Sequence, residues 1–329
     1  MKIYVIHSGR HTTEYIEFML EDTAHFQLVA SPLLKKPLYK EEKLPLFNPK
    51  KHKTILTSTF VYDKLHRTNV ICRFQHSSGF NYFPMIEGYV RLLNYDNVRD
   101  FRYLLLEQHY QGMILSENLP EIYDHFRYQM LQDPRVVTTK VDPFLVKISE
   151  TPKKRRRRSG TAMISLTWVS VLENPEKLMN VFKHLHKHLK LTLILHPRTA
   201  DYPEETKILL EQKGKLFETI TQDISRDKML ELFDQHEFIV TDGSGSCYEA
   251  MIRGCQPIAI DDMSYHEKDQ PSHSVLKEGY LSFPNYRDPS FYGNFDCKKF
   301  LRQTFPFLDQ YSLEEAKKIA VEEILSLDI

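Results

Sequence analysis

The chain has 329 residues, 41% of them hydrophobic and 12% aromatic, which excludes a disordered chain and is more than one ordinary core holds, so two domains are expected. Its 44 basic residues balance 44 acidic ones, which excludes a global nucleic-acid-binding field, and no nucleic-acid partner is expected. No run of about 18 apolar residues occurs, so no membrane-spanning helix is expected either.

An apolar run at 2–7 reads as a buried first strand, and the polar turn Ser8-Gly-Arg-His11 follows too soon for a signal peptide. Tyr15, Ile16, Met19 and Leu20 recur at helical spacing over 13–21. Strands are expected at 26–30, 54–58 and 70–74, with a Pro- and Lys-rich loop over 31–53 and a short helix near 62–66. Residues 80–110 are aromatic and without clear period. A strand at 113–116, a helix across 121–131 and a strand at 136–139 complete the first half.

Lys153, Lys154, Arg155, Arg156, Arg157 and Arg158 are six consecutive cations that would repel one another in a packed element. They read as a solvated linker near a boundary at 150, or as a patch for an anionic membrane surface. Beyond them the alternation is cleaner. Strands are expected at 162–167, 191–195, 217–220, 238–241 and 257–260. Helices are expected between them at 204–213, 228–233 and 246–252. Another helix is capped by Asn174 and Pro175, with Leu178, Phe182, Leu185 and Leu189 as its stripe. A final amphipathic helix opens with the capping box Ser312-Leu-Glu-Glu315. Alternating strands and helices imply an α/β fold with mostly parallel sheets. The expected architecture is two Rossmann-like domains, 1–150 and 151–311, facing a central cleft, with 312–329 crossing back to the first.

Three segments carry candidate chemistry, because open α/β sheets bind ligands where strands end. His76 follows an apolar strand and precedes the small residues Ser77, Ser78 and Gly79, so it can approach a substrate hydroxyl and take its proton. His196 ends the strand before Pro197, and with Arg198 it suits a phosphate or diphosphate leaving group. The turn Thr241-Asp242-Gly-Ser244-Gly-Ser246 supplies hydroxyls and backbone N–H groups for a phosphate just before a helix. Glu249, one turn further on, reads either as a ligand of a ribose or acceptor hydroxyl or as a solvated helix residue. Each His, taken singly, also reads as an ordinary loop histidine.

His184 and His188 share a helix face without a supporting carboxylate, so no metal site is expected. Cys72, Cys247, Cys255 and Cys297 lack ligand spacing and read as the reduced thiols of a cytosolic enzyme. No GxGxxG occurs, and no cofactor is expected.

In this order the segments resemble the CDP-glycerol glycerophosphotransferase family of teichoic-acid-type polymer synthesis. Arg73-Phe-Gln-His76-Ser-Ser-Gly79 lies where that family has a Trp-His-Gly-Thr type motif. Thr138-Thr-Lys-Val-Asp142-Pro-Phe-Leu145 is similar to its Gly-x-Pro-Arg-x-Asp segment, and Ile164-Ser-Leu-Thr167-Trp168 to its Ala-Pro-Thr-Trp strand end. Leu193-Ile-Leu-His196-Pro197 resembles its Lys-Leu-His-Pro, and the 241–246 turn its Thr-Asp-Tyr-Ser-Ser. Gln256-Pro257-Ile-Ala-Ile260 is similar to its Lys-Pro-Val strand. Ser77, Val169 and Gly243 depart from the Gly, Arg and Tyr of the family.

The resemblance implies a GT-B-like fold and a cytoplasmic enzyme, peripheral at the inner membrane face if the basic run binds lipid. It implies His76 as general base, His196 on the donor diphosphate, and Thr241, Asp242, Ser244 and Ser246 on phosphate. The expected activity is transfer from a CDP- or UDP-linked donor to a polyol, sugar or polymer acceptor. The 244–250 stretch also looks like the phosphate-binding turn of UDP-sugar 2-epimerases and of capsule glycosyltransferases in the same fold class, which keeps the epimerase activity as an alternative. The departures keep open a third reading, an inactive scaffold on an anionic surface.

Overall fold

Runs rich in Ile, Val, Leu and Phe pair into two parallel sheets in the computed structural model, which describes residues 3–7, 21–30, 54–57, 70–74, 101–106, 136–153, 158–173, 175–222, 224–242, 245–260 and 283–326. The first sheet contains β1 (Ile3–His7), β2 (Phe26–Ala30), β3 (Thr54–Thr57), β4 (Val70–Phe74), β5 (Phe101–Leu106) and β6 (Val136–Thr139), in the order β2-β1-β3-β4-β5-β6. The second contains β7 (Arg158–Ser165), β8 (Lys190–Leu195), β9 (Phe217–Gln222), β10 (His236–Thr241) and β11 (Gln256–Ala259), in the order β11-β10-β7-β8-β9. Every pairing is parallel.

Parallel strands need crossovers, and these bury both faces of the sheet. In the second sheet the period-2 alternation is visible in two separate cores. Met163, Ile194, Ile239 and Ala259 point to one face. Ala162, Ile164, Leu191, Leu193, Leu195, Phe238, Val240 and Ile258 point to the other. That second face is covered by α2 (Trp168–Glu173), α3 (Pro175–His186) and α4 (Pro203–Leu210), through Val171, Leu178, Phe182, Leu185 and Leu209. Leu178, Phe182 and Leu185 of the expected stripe are therefore the buried face of α3, whereas Leu189 is buried beyond the end of the helix.

The first face is covered by α1 (Pro143–Glu150), α5 (Arg226–Gln235), α6 (Ser246–Ile252), α7 (Cys297–Thr304) and α8 (Leu313–Leu325). Asp142 caps α1 by accepting from Phe144 N–H at 2.9 Å and Leu145 N–H at 3.3 Å, and Pro143 takes the first helical position. Phe144, Leu145, Val146 and Ile148 then pack into the core of the second sheet, beside Ala316 and Ala320 of α8. The capping box of α8 is present, with Ser312 and Glu315 bonding reciprocally. From α8, Lys317 forms an ion pair with Glu21 at 3.2 Å, and Glu323 accepts from Lys140 N–H.

The structure departs from the sequence reading in several places. β5 lies in the stretch read as irregular, and α1, α2 and α7 were not foreseen. Arg158 begins β7 instead of lying in a linker, because strand pairing with β10 starts at Arg158 and His236. Thr167 lies beyond β7, which ends at Ser165. The elements expected at 13–20, 31–53, 62–66, 113–116 and 121–131, the cap Asn174, and basic residues 154–157 lie outside the described residues. No helix among the described residues is long and apolar enough to cross a membrane.

Candidate functional site

The strand order locates a ligand crevice before any side chain is considered. In the second sheet the chain runs from β7 to β8 and β9 on one side, then returns to place β10 and β11 on the other. The loops after β7 and β10 therefore leave toward opposite faces and open a crevice at their carboxyl ends. The first sheet has its switch point between β1 and β3, with β4 next to β3. His76, Ser77, Ser78 and Gly79, which follow β4 in sequence, lie outside the described residues, as does Ser244.

Polar side chains gather at the second switch point. Ser165, the last residue of β7, has its Oγ 2.8 Å from the Oγ of Ser246, the first residue of α6. Thr241 ends β10 and is fully buried. Asp242 is only 2% exposed. Both of its carboxylate oxygens accept from the Thr167 N–H at 3.0 Å, and Oδ2 also accepts from the Thr167 hydroxyl at 2.7 Å. Since a carboxylate only accepts, the Thr167 proton is committed to Asp242. The Thr167 oxygen must then accept from the buried Ser170 hydroxyl, 3.1 Å away. The chain Ser170→Thr167→Asp242 thus fixes the turn after β7 against the turn after β10.

His196 follows β8, the neighbour of β7, and is half-buried. Its carbonyl accepts from Thr199 N–H at 2.9 Å and Thr199 Oγ1 at 2.6 Å, while Gln222 at the end of β9 donates to the same Thr199 hydroxyl at 2.8 Å. These bonds fix the short 3₁₀ turn Pro197–Asp201, which carries Arg198. The sequence-expected residues His196, Thr241, Asp242 and Ser246 therefore share the carboxyl edge of one sheet.

Glu249 is not a solvated helix residue. It is 8% exposed, and its Oε2 lies 2.7 Å from Nη1 of Arg226. The Arg226 guanidinium lies over the Phe144 ring, 4.5 Å from its centroid. Asp142 is close enough to sense this cluster. Burial pushes its carboxyl up to about 7, against the pull of its two backbone donors, and the Glu249 charge adds to the rise.

Ser165, Thr167, Ser170 and Arg226 were not singled out as site residues by the sequence. For the first two a signal existed, since polar residues where an apolar strand ends beside a central strand mark a crevice edge. Arg226 offered none. Among the described residues no three His, Cys, Asp or Glu side chains converge as metal ligands.

Two parallel sheets, with a switch point in each, place the chain in the class of α/β folds seen in GT-B-like enzymes. Its fold is similar to that of the wall teichoic acid polymerase TagF, at 12% identity, covering 98% of this chain and 88% of that one, with a TM-score of 0.53. It is similar also to the UDP-GlcNAc 2-epimerase of Methanocaldococcus jannaschii, solved with UDP-GlcNAc and UDP, at 12% identity, 99% and 100% coverage and a TM-score of 0.52. A third likeness is to a UDP-forming α,α-trehalose-phosphate synthase from Burkholderia xenovorans, at 11% identity, complete coverage of both chains (100% each) and a TM-score of 0.52. No family model matches the chain, and no curated protein matches it by sequence.

Proposed function

We propose that the protein is a transferase that moves a group from a nucleotide-activated donor to a hydroxyl acceptor. The observation that carries this reading is the polar crevice at the second switch point, where Ser165 and Ser246 meet beside Asp242 and Thr167. It is supported by likeness to folds solved with CDPG in TagF and with UDP-GlcNAc and UDP in the epimerase. In this reading residues 1–150 form the acceptor-side domain and 151–311 the donor-side domain. Ser246, Ser244, His196 and Arg198 hold the donor diphosphate, with fully buried Thr241 behind them, and His76 draws the proton from the acceptor hydroxyl as it attacks. Hydroxyls, His and Arg compensate the charge of the leaving group, a nucleoside diphosphate in glycosyl transfer or a nucleoside monophosphate in polyol-phosphate transfer. Glu249, held by Arg226, supports the helix that presents Ser246. The basic run 153–158 docks the enzyme on an anionic surface near a polymeric acceptor.

The epimerase likeness, as close as the polymerase one, favours a second reading, inversion of a UDP-linked sugar without any acceptor. One experiment separates them. The purified protein is incubated with CDP-glycerol and with UDP-GlcNAc, each with and without a polyol or teichoic-acid-like acceptor. Release of CMP or UDP only when acceptor is present establishes the transferase. A changed UDP-sugar without acceptor establishes the epimerase. Neither, together with no nucleotide binding, leaves the scaffold reading, which liposome co-sedimentation lost on neutralising 153–158 would support.

A further inference from the structure

We infer that Asp242 is a positioning residue that sets the donor crevice through Thr167 and does not itself bind the donor phosphate. The inference rests on the reading of the second switch point as a nucleoside-diphosphate site. The sequence alone places Asp242 among the phosphate ligands. Chemically this is a poor role, because a carboxylate repels a diphosphate at close range. The structure gives the carboxylate another occupation. It is buried, and it receives the Thr167 N–H and the Thr167 hydroxyl in charge-assisted hydrogen bonds.

The consequence is geometric. The two turns joined by this clamp lead out of β7 and toward α6, whose last and first residues carry the hydroxyl pair. Ser165 lies two residues before Thr167, and Ser246 lies four residues after Asp242. The 2.8 Å separation of Ser165 and Ser246 across the switch point is therefore set by the Asp242–Thr167 contact. Thr167 thus enters the site as the clamp's partner, and Ser165 as the hydroxyl that meets Ser246 across the switch point.

The test is a double-mutant cycle on the full chain, read by calorimetric titration with CDP and with UDP. Asp242→Asn keeps the shape but supplies one acceptor oxygen and turns an amide donor toward the Thr167 donors. It should weaken nucleotide binding roughly tenfold or more, the size of one lost charge-assisted hydrogen bond. Thr167→Val removes the hydroxyl donor and should weaken binding by a smaller factor. Because Asp242 acts through Thr167, the double variant should bind about as well as Asp242→Asn alone, a strongly non-additive result. Losses that simply multiply, or an Asp242→Asn variant with wild-type affinity, overturn the inference. Should Asp242→Asn not fold, Thr167→Val decides alone, and unchanged affinity in that variant overturns it. Wild-type protein that binds neither CDP nor UDP overturns the donor reading itself, which is a distinct outcome.

Discussion

Arg253, at the end of α6, holds Asp234 of α5 in a two-pronged ion pair, Nε to Oδ1 at 2.8 Å and Nη2 to Oδ2 at 2.6 Å. Both side chains are almost completely buried. The same guanidinium donates to the carbonyls of Ile148, Thr151 and Pro152 at the end of α1. Arg253 is therefore both the counter-ion of a buried carboxylate and the C-terminal cap of the helix that joins the two sheets in sequence. Only a planar fork of donors serves these partners together.

Replacing Arg253 with Met should be among the most damaging single changes in this part of the chain. It removes the bidentate counter-ion of buried Asp234 and the donors to three carbonyls, a loss of about 3–5 kcal/mol by comparison with other broken buried pairs. Arg253→Lys should lose a large part of the same stability, because an ammonium cannot make the parallel bonds. The double change Arg253→Met with Asp234→Leu should recover stability relative to Arg253→Met. Urea unfolding of the three variants checks this, and a double variant no better than the single would show that the carbonyl cap, not the ion pair, dominates.

Asp142 should make stability fall as pH rises. Its folded carboxyl is pushed up to about 7 by burial, above an ordinary value of 3.8. Its contribution is therefore complete below about pH 4 and is lost as pH rises through 7, because the unfolded chain gives up its proton first while the folded carboxyl is held neutral by burial. Asp142→Asn retains the cap, since Asn caps helices as well as Asp. The variant should match the wild type near pH 4 and exceed it above pH 7, by an amount on the order of a few kcal/mol. Urea midpoints from pH 4 to 8 measure the difference, and a difference that does not grow with pH refutes the assignment.

Much of this was legible in the sequence, and the boundary between what was and was not is physical. β8 and β10 announce themselves because a strand buried on both faces must be nearly continuous in Leu, Ile, Val and Phe. β5 was missed because Arg102 and Tyr103 interrupt its apolar run. α1 was missed although its cap, Asp142-Pro143, is a recognised start signal. At the site, His196 and Ser246 could be named from their place at the ends of apolar runs. The clamp could not, because Asp242 and Thr167 lie 75 positions apart and neither residue specifies the other. The same holds for Arg253 with Asp234 and for Arg226 with Glu249. Periodicity reports which face is buried, whereas polar partnerships depend on strand order.

His236 should act on stability in the opposite direction to Asp142. Its Nδ1 lies 2.7 Å from the Leu232 carbonyl, which can only accept, so Nδ1 carries the proton. Nε2 then accepts from the Thr192 hydroxyl at 2.9 Å. Burial holds the imidazole below the ordinary histidine value, which keeps it neutral. The stability it contributes is complete above about pH 6.5 and declines as pH falls below that, because the unfolded chain takes up the proton first. Thr192→Val removes the donor to Nε2 and should lower stability by about 1–3 kcal/mol at neutral pH. His236→Gln should flatten the acid side of the wild-type stability curve. A variant curve parallel to the wild type from pH 5 to 7 would rule the effect out.

His76→Ala should abolish turnover and spare donor binding. His76 follows β4 in sequence, whereas Ser165, His196 and Ser246 all stand at the carboxyl edge of the second sheet. If His76 is the base, its loss removes proton transfer and leaves the nucleotide contacts alone. Turnover should fall by about two to four orders of magnitude, the range for a positioned general base. The affinity for CDP or UDP should stay within about twofold of the wild type. His196→Ala should do the reverse, weakening nucleotide binding along with turnover. Steady-state rates with calorimetric affinities for both variants decide the matter. Wild-type turnover in His76→Ala would remove the base assignment, and a parallel loss of nucleotide affinity would move His76 to the donor side.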